Sequence, residues 1–229
     1  MAAPTLIYCA DGNKRFAEIA LAAGFRYGVR LPAQGCYFPI FFADQDWKNP
    51  NPARYIAELA RHRPQMATVL DWERDEQLPE VLGWAEDAAQ YVKQVLIVPK
   101  VIGGIAHLPS RIGDAEVVLA YSVPTTYGGT PVPAWEFLGW PVHLLGGSPH
   151  RQMQIARYLN VVSTDGNMAN LMATRYCQFW TSGTARYARN RFWPRLDEIG
   201  EKVTIDAPYE AFRRSCENIV RAWDAWLPN

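Results

Sequence analysis

Carboxylates, a lysine and paired glycines recur where short apolar runs stop. The run Thr5–Cys9 leads to Asp11 and Tyr27–Leu31 carries Arg30. Pro39–Phe42 leads to Asp44 and Asp46, Ala67–Leu70 to Asp71 and Glu73, and Val95–Val98 to Lys100. Val117–Tyr121 leads to Ser122 and then Tyr127-Gly128-Gly129, and Val142–Leu145 to Gly146-Gly147-Ser148 and His150. The last run, Val161–Thr164, delivers Asp165. Carboxylates gathered on one rim raise one another's pKa. That arrangement suits a site in which one carboxyl attacks and another handles protons.

Plainer roles compete at each position. Asp11 and Asp75 read as helix caps. Asp165 sits between two glycine-opened turns, where Gly146 and Gly147 let backbone approach a ligand closely, and reads as a reacting group. Lys100 is either a Schiff-base amine or the partner of a rim carboxylate. His143 falls inside a strand and reads as a core histidine, whereas His150 opens a helix, to face an anion or to cap. No Walker loop, HExxH, GxSxG or dinucleotide fingerprint is present. The segment Thr184–Arg195 interleaves Arg186, Arg189, Arg191 and Arg195 with Tyr187, Phe192 and Trp193. It is either a clamp, with arginines on phosphates and rings on bases, or an amphipathic helix with its rings turned inward.

The elements that must position these groups follow from periodicity. The eight apolar runs above are strands. Between them, 3.6-residue spacing predicts helices at Lys14–Ala23, Pro52–His62, Leu78–Tyr91, Val132–Leu138 and His150–Leu159. Alternating strands and helices point to an α/β fold, a (β/α)8 TIM barrel with some helices abbreviated, an open parallel sheet being the alternative. From about residue 169 to 229 the chain reads as a helical, aromatic-rich extension ending in a helix at Tyr209–Leu227, within a single domain spanning 1–229.

Bulk properties agree. The chain has 229 residues, 49% of them hydrophobic, and 23 basic against 23 acidic side chains. With no global field, contact with nucleic acid requires a local patch. Four scattered cysteines without CxxC spacing read as reduced thiols, with no metal site and no cofactor. No charged-then-apolar leader is seen and no apolar run approaches ~18 residues, so a cytoplasmic location without a membrane partner is expected. The subunit number is left open.

Taken together, His143-Leu-Leu-Gly146-Gly147-Ser-Pro149, the helix to Leu159 and Val-Val-Ser-Thr-Asp165 resemble the tRNA-guanine transglycosylase superfamily, including its DNA-directed 7-deazaguanine branch. The resemblance covers about 35 residues closely, matching the family's His-x-x-Gly-x-Gly-x-Pro strand, helix and aspartate-ending strand. It implies a TIM-barrel pentosyltransferase that exchanges guanine for a 7-deazaguanine such as preQ0 through a covalent glycosyl-enzyme intermediate. On the match, Asp165 is the nucleophile and Asp71 holds the guanine edge. Asp44 or Asp46 is the acid/base, and Gly128-Gly129 line the base pocket. The chain is much shorter than the tRNA enzymes and lacks both their Cys/His zinc site and their Asp-Ser-Gly-Gly-Phe signature. Those departures shift the implied substrate from tRNA towards DNA.

Three readings follow: base exchange, or excision by an N-glycosidase, in nucleic acid; a barrel enzyme binding a small phosphorylated metabolite at Gly146-Gly147-Ser148; and a non-catalytic nucleobase-binding barrel.

Overall fold

Eight parallel strands close on themselves. The computed structural model describes residues 3–9, 13–125 and 128–226; Asp11, Tyr127 and the expected helix end at Leu227 lie outside them. The strands are β1 (Thr5–Cys9), β2 (Arg26–Leu31), β3 (Phe42–Gln45), β4 (Met66–Thr68), β5 (Gln94–Ile97), β6 (Arg111–Ile112), β7 (Ala115–Ser122), β8 (Val142–Leu145) and β9 (Val161–Asp165). The ring runs β1-β2-β3-β4-β5-β7-β8-β9, and β1 pairs with β9 to complete it. Among the strands of the described residues, β6 alone pairs antiparallel, as a short hairpin partner of β7. The open sheet is thereby excluded.

The helices are α1 (Lys14–Ala22), α2 (Pro52–His62), α3 (Leu78–Ala89), α4 (Pro149–Ile155), α5 (Met168–Tyr176) and α6 (Ala207–Asp224). The α2 start is as its sequence demands, with the Asn51 side chain accepting from Arg54 N and Pro52 in the first turn. The expected helix at Val132–Leu138 is instead one 3-10 turn, Ala134–Phe137, entered from Pro133. No α-helix joins β2 to β3, and β5 reaches β7 through the 3-10 turn Gly104–His107 and β6.

Strand alternation divides the core in two. Ile7, Phe42, Met66, Leu96, Val98, Val118 and Ala120 fill the barrel interior. Their neighbours in sequence, such as Tyr8, Ala43, Ala67, Val95, Val117 and Leu119, face the helix layer. There Phe212 of α6 meets Phe16 of α1 edge-on at 5.1 Å and Tyr8 of β1 at 5.3 Å. Among the described residues, no helix is long and apolar enough to cross a membrane.

The interior tolerates no extra atom at Gly28 in β2. A Cβ there would lie 2.9 Å from Ile7 Cγ2 and 3.0 Å from Phe42 Cδ1. Gly28→Ala is therefore expected to lower stability by about 1–3 kcal/mol through overpacking, read as a lower urea midpoint at unchanged m-value.

Candidate functional site

Asp165 ends β9 at the carboxyl edge of the barrel. The β8–β9 register places His143 opposite Ser163, with an irregularity between Val142 and His143. His143 is fully buried. Its Nδ1 lies 2.8 Å from Ser163 Oγ and its Nε2 3.3 Å from Asp165 Oδ1. Gly146 N–H donates to the same Oδ1 at 2.9 Å. That donor is aimed by the glycine turn, in which Gly146 and Gly147 take φ values of 70° and 84°. A Cβ on Gly147 would also meet Val123 Cγ1 at 2.5 Å.

Gln152 of α4 locks the turn from beneath. Its Nε2 donates to Gly146 O at 2.8 Å and Asp165 O at 2.6 Å, and its Oε1 accepts from Thr164 Oγ1 at 3.3 Å. Replacing this buried amide by Leu strips two carbonyls of their donor. Gln152→Leu is expected to cost about 1–3 kcal/mol and to raise amide exchange at Gly146, measured by urea unfolding and hydrogen exchange.

Asp44 occupies the inward side of β3, beside Arg30 of β2. Thr68 Oγ1 donates to Asp44 Oδ1 at 2.9 Å while accepting from Gln45 N at 2.8 Å, and the buried Tyr55 hydroxyl lies 2.8 Å from Thr68 O. Burial, then the charge of Asp165 and to a smaller extent that of Asp71, push the Asp44 carboxyl up to about 7 against the pull of Thr68 and Arg30.

Asp71 and Lys100 meet because an isolated parallel bridge between Trp72 and Pro99 prolongs the β4–β5 pairing. Lys100 Nζ lies 2.7 Å from Asp71 Oδ2 and 3.2 Å from Glu73 Oε1. Burial raises the Asp71 carboxyl, with Lys100 opposing. Burial acts to lower the Lys100 ammonium, but Asp71 and Glu73 outweigh it and hold the lysine protonated. A Schiff base requires a neutral amine; the salt bridge is the arrangement found.

The remaining expected residues lie around this centre. Both Asp46 oxygens serve their own turn, facing Lys48 N at 3.3 Å and Asn49 Nδ2 at 3.4 Å. Ser148 caps α4 by accepting from Arg151 N. Gly128 exchanges backbone hydrogen bonds with Thr125, and Gly129 packs so closely on Pro124 that a Cβ would lie 2.6 Å from its Cα. His150 accepts from Gln154 Nε2 at 3.0 Å and its ring lies 4.4 Å from that of Phe192. That ring contact brings the arginine segment against the first turn of α4, next to the glycine turn.

The segment itself is turns and bends, so the amphipathic-helix alternative is corrected. Asn190 and Pro194 break any helical run there. Arg186, Arg189, Arg191 and Arg195 are all exposed and Trp193 is half-buried. Arg195 pairs with Asp197 at 2.9 Å, and the Arg191 guanidinium lies 5.0 Å from the Phe192 ring centre.

Sequence reasoning missed His143, Ser163, Gln152 and Thr68 as parts of the site. His143 was legible as a buried strand residue that opens the matched motif, without a role; its bond to Asp165 depends on strand register. Behind Asp165, a crevice lined by Ile7, Tyr8, Gly147, Gln152, Gly166 and Phe212 has a cavity volume of about 30 Å³. It has room for a water molecule or two. Among the described residues, no group of three or more His, Cys, Asp or Glu could hold a metal ion. Cys216 is buried and Cys9, Cys36 and Cys177 are half-buried, and none of the four forms a disulfide among the described residues.

One family model, described as a family of unknown function (DUF6610), matches residues 18–224. No curated protein matches the chain.

Proposed function

From a chain that belongs to this family, we propose an enzyme that exchanges, or excises, guanine or a 7-deazaguanine base in nucleic acid, DNA rather than tRNA. The observation that carries this reading is the pair Asp165 and Asp44. One carboxyl group is held at the barrel mouth through a single oxygen among the described residues, and a second, on β3 with Thr68 donating to it, is pushed up to about 7 by burial and by the charge of the first. A carboxyl group of raised pKa beside a second one is the arrangement in which the first can serve as acid and the second as nucleophile.

In the first half-reaction an Asp165 oxygen attacks C1′ and the N-glycosidic bond breaks. The bonding pair goes to the base nitrogen, which takes the Asp44 proton, and an Asp165 glycosyl ester remains. In the second half, an incoming base nitrogen gives its proton to ionised Asp44 and displaces Asp165; water in its place leaves an abasic site. Asp71, with one oxygen held by Lys100, offers the other to the purine edge. A base reacting inside the mouth must leave its stack, with the exposed Arg186, Arg189 and Arg191 on the flanking phosphates. We read the barrel as a TIM barrel with abbreviated helices, and α5 onward as its helical, aromatic extension. These features support the resemblance to the transglycosylase superfamily.

The phosphorylated-metabolite reading fits less well. Gly146 N–H is already engaged by a carboxylate, and Ser148 caps a helix of only seven residues.

The deciding experiment incubates the protein with single-stranded DNA or tRNA and labelled guanine or preQ0, and follows label uptake. Uptake into DNA that falls steeply between about 50 and 200 mM salt is expected from phosphate contacts. Tight base binding without uptake, or ester formation, on either nucleic acid would leave the non-catalytic barrel as the better account.

A further inference from the structure

We infer that His143 is a positioning residue that selects which oxygen of Asp165 attacks, an inference resting on the proposal that Asp165 is the nucleophile. The two oxygens of a carboxylate are equivalent in water. Here they are not. Gly146 N–H and His143 Nε2 both address Oδ1, and among the described residues no group donates to Oδ2.

The direction of the histidine bond follows from its surroundings. The ring is 0% exposed and lies 5.1 Å from the Phe42 ring inside the barrel. If Nδ1 carried the only proton, Nε2 would turn a lone pair towards a carboxylate oxygen, acceptor against acceptor. With the Ser163 hydroxyl donating to Nδ1, the proton sits on Nε2 and points at Oδ1; a doubly protonated ring donates there too. Ser163 thus orients the ring, and the ring orients the carboxylate.

Two donors draw charge onto Oδ1, so the lone pairs of Oδ2 are the more available for C1′. Once Oδ2 has formed the ester, Oδ1 is its carbonyl oxygen and keeps the same two donors. When the ester opens, they stabilise the returning negative charge. The same pair of hydrogen bonds therefore serves both half-reactions, and the glycine turn and the buried histidine act as one device.

The test uses the full chain. With ¹⁵N-labelled histidine, NMR is expected to show His143 protonated at Nε2 and unprotonated at Nδ1, with that preference lost in Asp165→Leu, which removes the acceptor facing Nε2. An unprotonated Nε2 overturns the inference whatever the activity. Kinetically, His143→Leu is expected to slow single-turnover formation of the oligonucleotide adduct about 10²-fold at unchanged KM, the scale of misplaced reactants. His143→Gln, which keeps an N–H near the Nε2 position, recovers to within about tenfold of wild type. Ser163→Ala removes one oxygen and slows the step about tenfold. Leu and Gln variants that react alike, fast or slow, overturn the role of His143. A wild-type protein that forms no adduct instead overturns Asp165 as nucleophile.

Discussion

Asp165→Asn is expected to lower base exchange by at least about 10⁴-fold while leaving the protein folded, because it removes a nucleophile and little else. The amide is nearly isosteric, and its oxygen can still accept from Gly146 N–H and His143 Nε2 at the places now occupied by Oδ1. The carbonyl of residue 165 still receives Gln152 Nε2. Urea midpoints should therefore move by less than about 1 kcal/mol, the ordinary scale for a change that keeps its hydrogen bonds. A second consequence is specific to the site. The charge of Asp165 is the largest cause, after burial, of the raised Asp44 carboxyl. Removing that charge should lower the Asp44 pKa, visible by carboxyl ¹³C NMR. Intact-mass analysis reads the chemistry directly: wild type carries an oligonucleotide adduct after denaturation and Asp165→Asn carries none. Exchange within tenfold of wild type in a folded Asp165→Asn protein would remove Asp165 from the mechanism.

Much of the framework was legible because it is repetitive. Thr5–Cys9 and Val142–Leu145 are strands with the boundaries their apolar, β-branched runs suggest, and Pro52–His62 is a helix from cap to end. Errors fall where polarity interrupts pattern. The third strand was expected at Pro39–Phe42 and is Phe42–Gln45. Its inward face ends in Asp44, which no hydrophobic alternation could mark as strand. The turn at Ala134–Phe137 lost its helix to Pro133, which fixes the entry, and to a run too short to propagate. The candidate site was legible by residue type at Asp44, Asp71, Lys100 and Asp165, each at or near a strand end. Its wiring was not. His143 and Ser163 are twenty residues apart and meet only through the β8–β9 register, irregularity included. The choice between Asp44 and Asp46 likewise rests on direction: one points into the barrel and the other closes its own turn.

Asp44→Asn is expected to make the protein less active and, above about pH 4, more stable. An aspartate in the unfolded chain ionises near 4, whereas burial and the Asp165 charge hold Asp44 near about 7. Between those values the folded protein keeps a proton that the unfolded chain has released. The folded state thus binds more protons, and stability falls as pH rises from about 4 to about 7, then levels. The gap of roughly 3 pKa units sets a ceiling of about 4 kcal/mol. Some of it is lost to solvent, because the carboxyl is not wholly enclosed. Asp44→Asn abolishes the dependence, so the variant should unfold at a higher urea concentration than wild type at pH 8, by about 2 kcal/mol, and at nearly the same concentration at pH 4. Activity should move the other way. As proton donor to the departing base, Asp44 is competent below about pH 7, so wild-type single-turnover adduct formation declines as pH rises through that value. The variant should be slower by about 10²–10⁴-fold and flat over the same range. A gain in stability bought by loss of rate marks a group kept in an unfavourable state for its chemistry. A variant with the wild-type pH profile would assign the proton to another group, and one that is less stable at pH 8 would show that the fold favours the ionised carboxyl and does not raise its pKa.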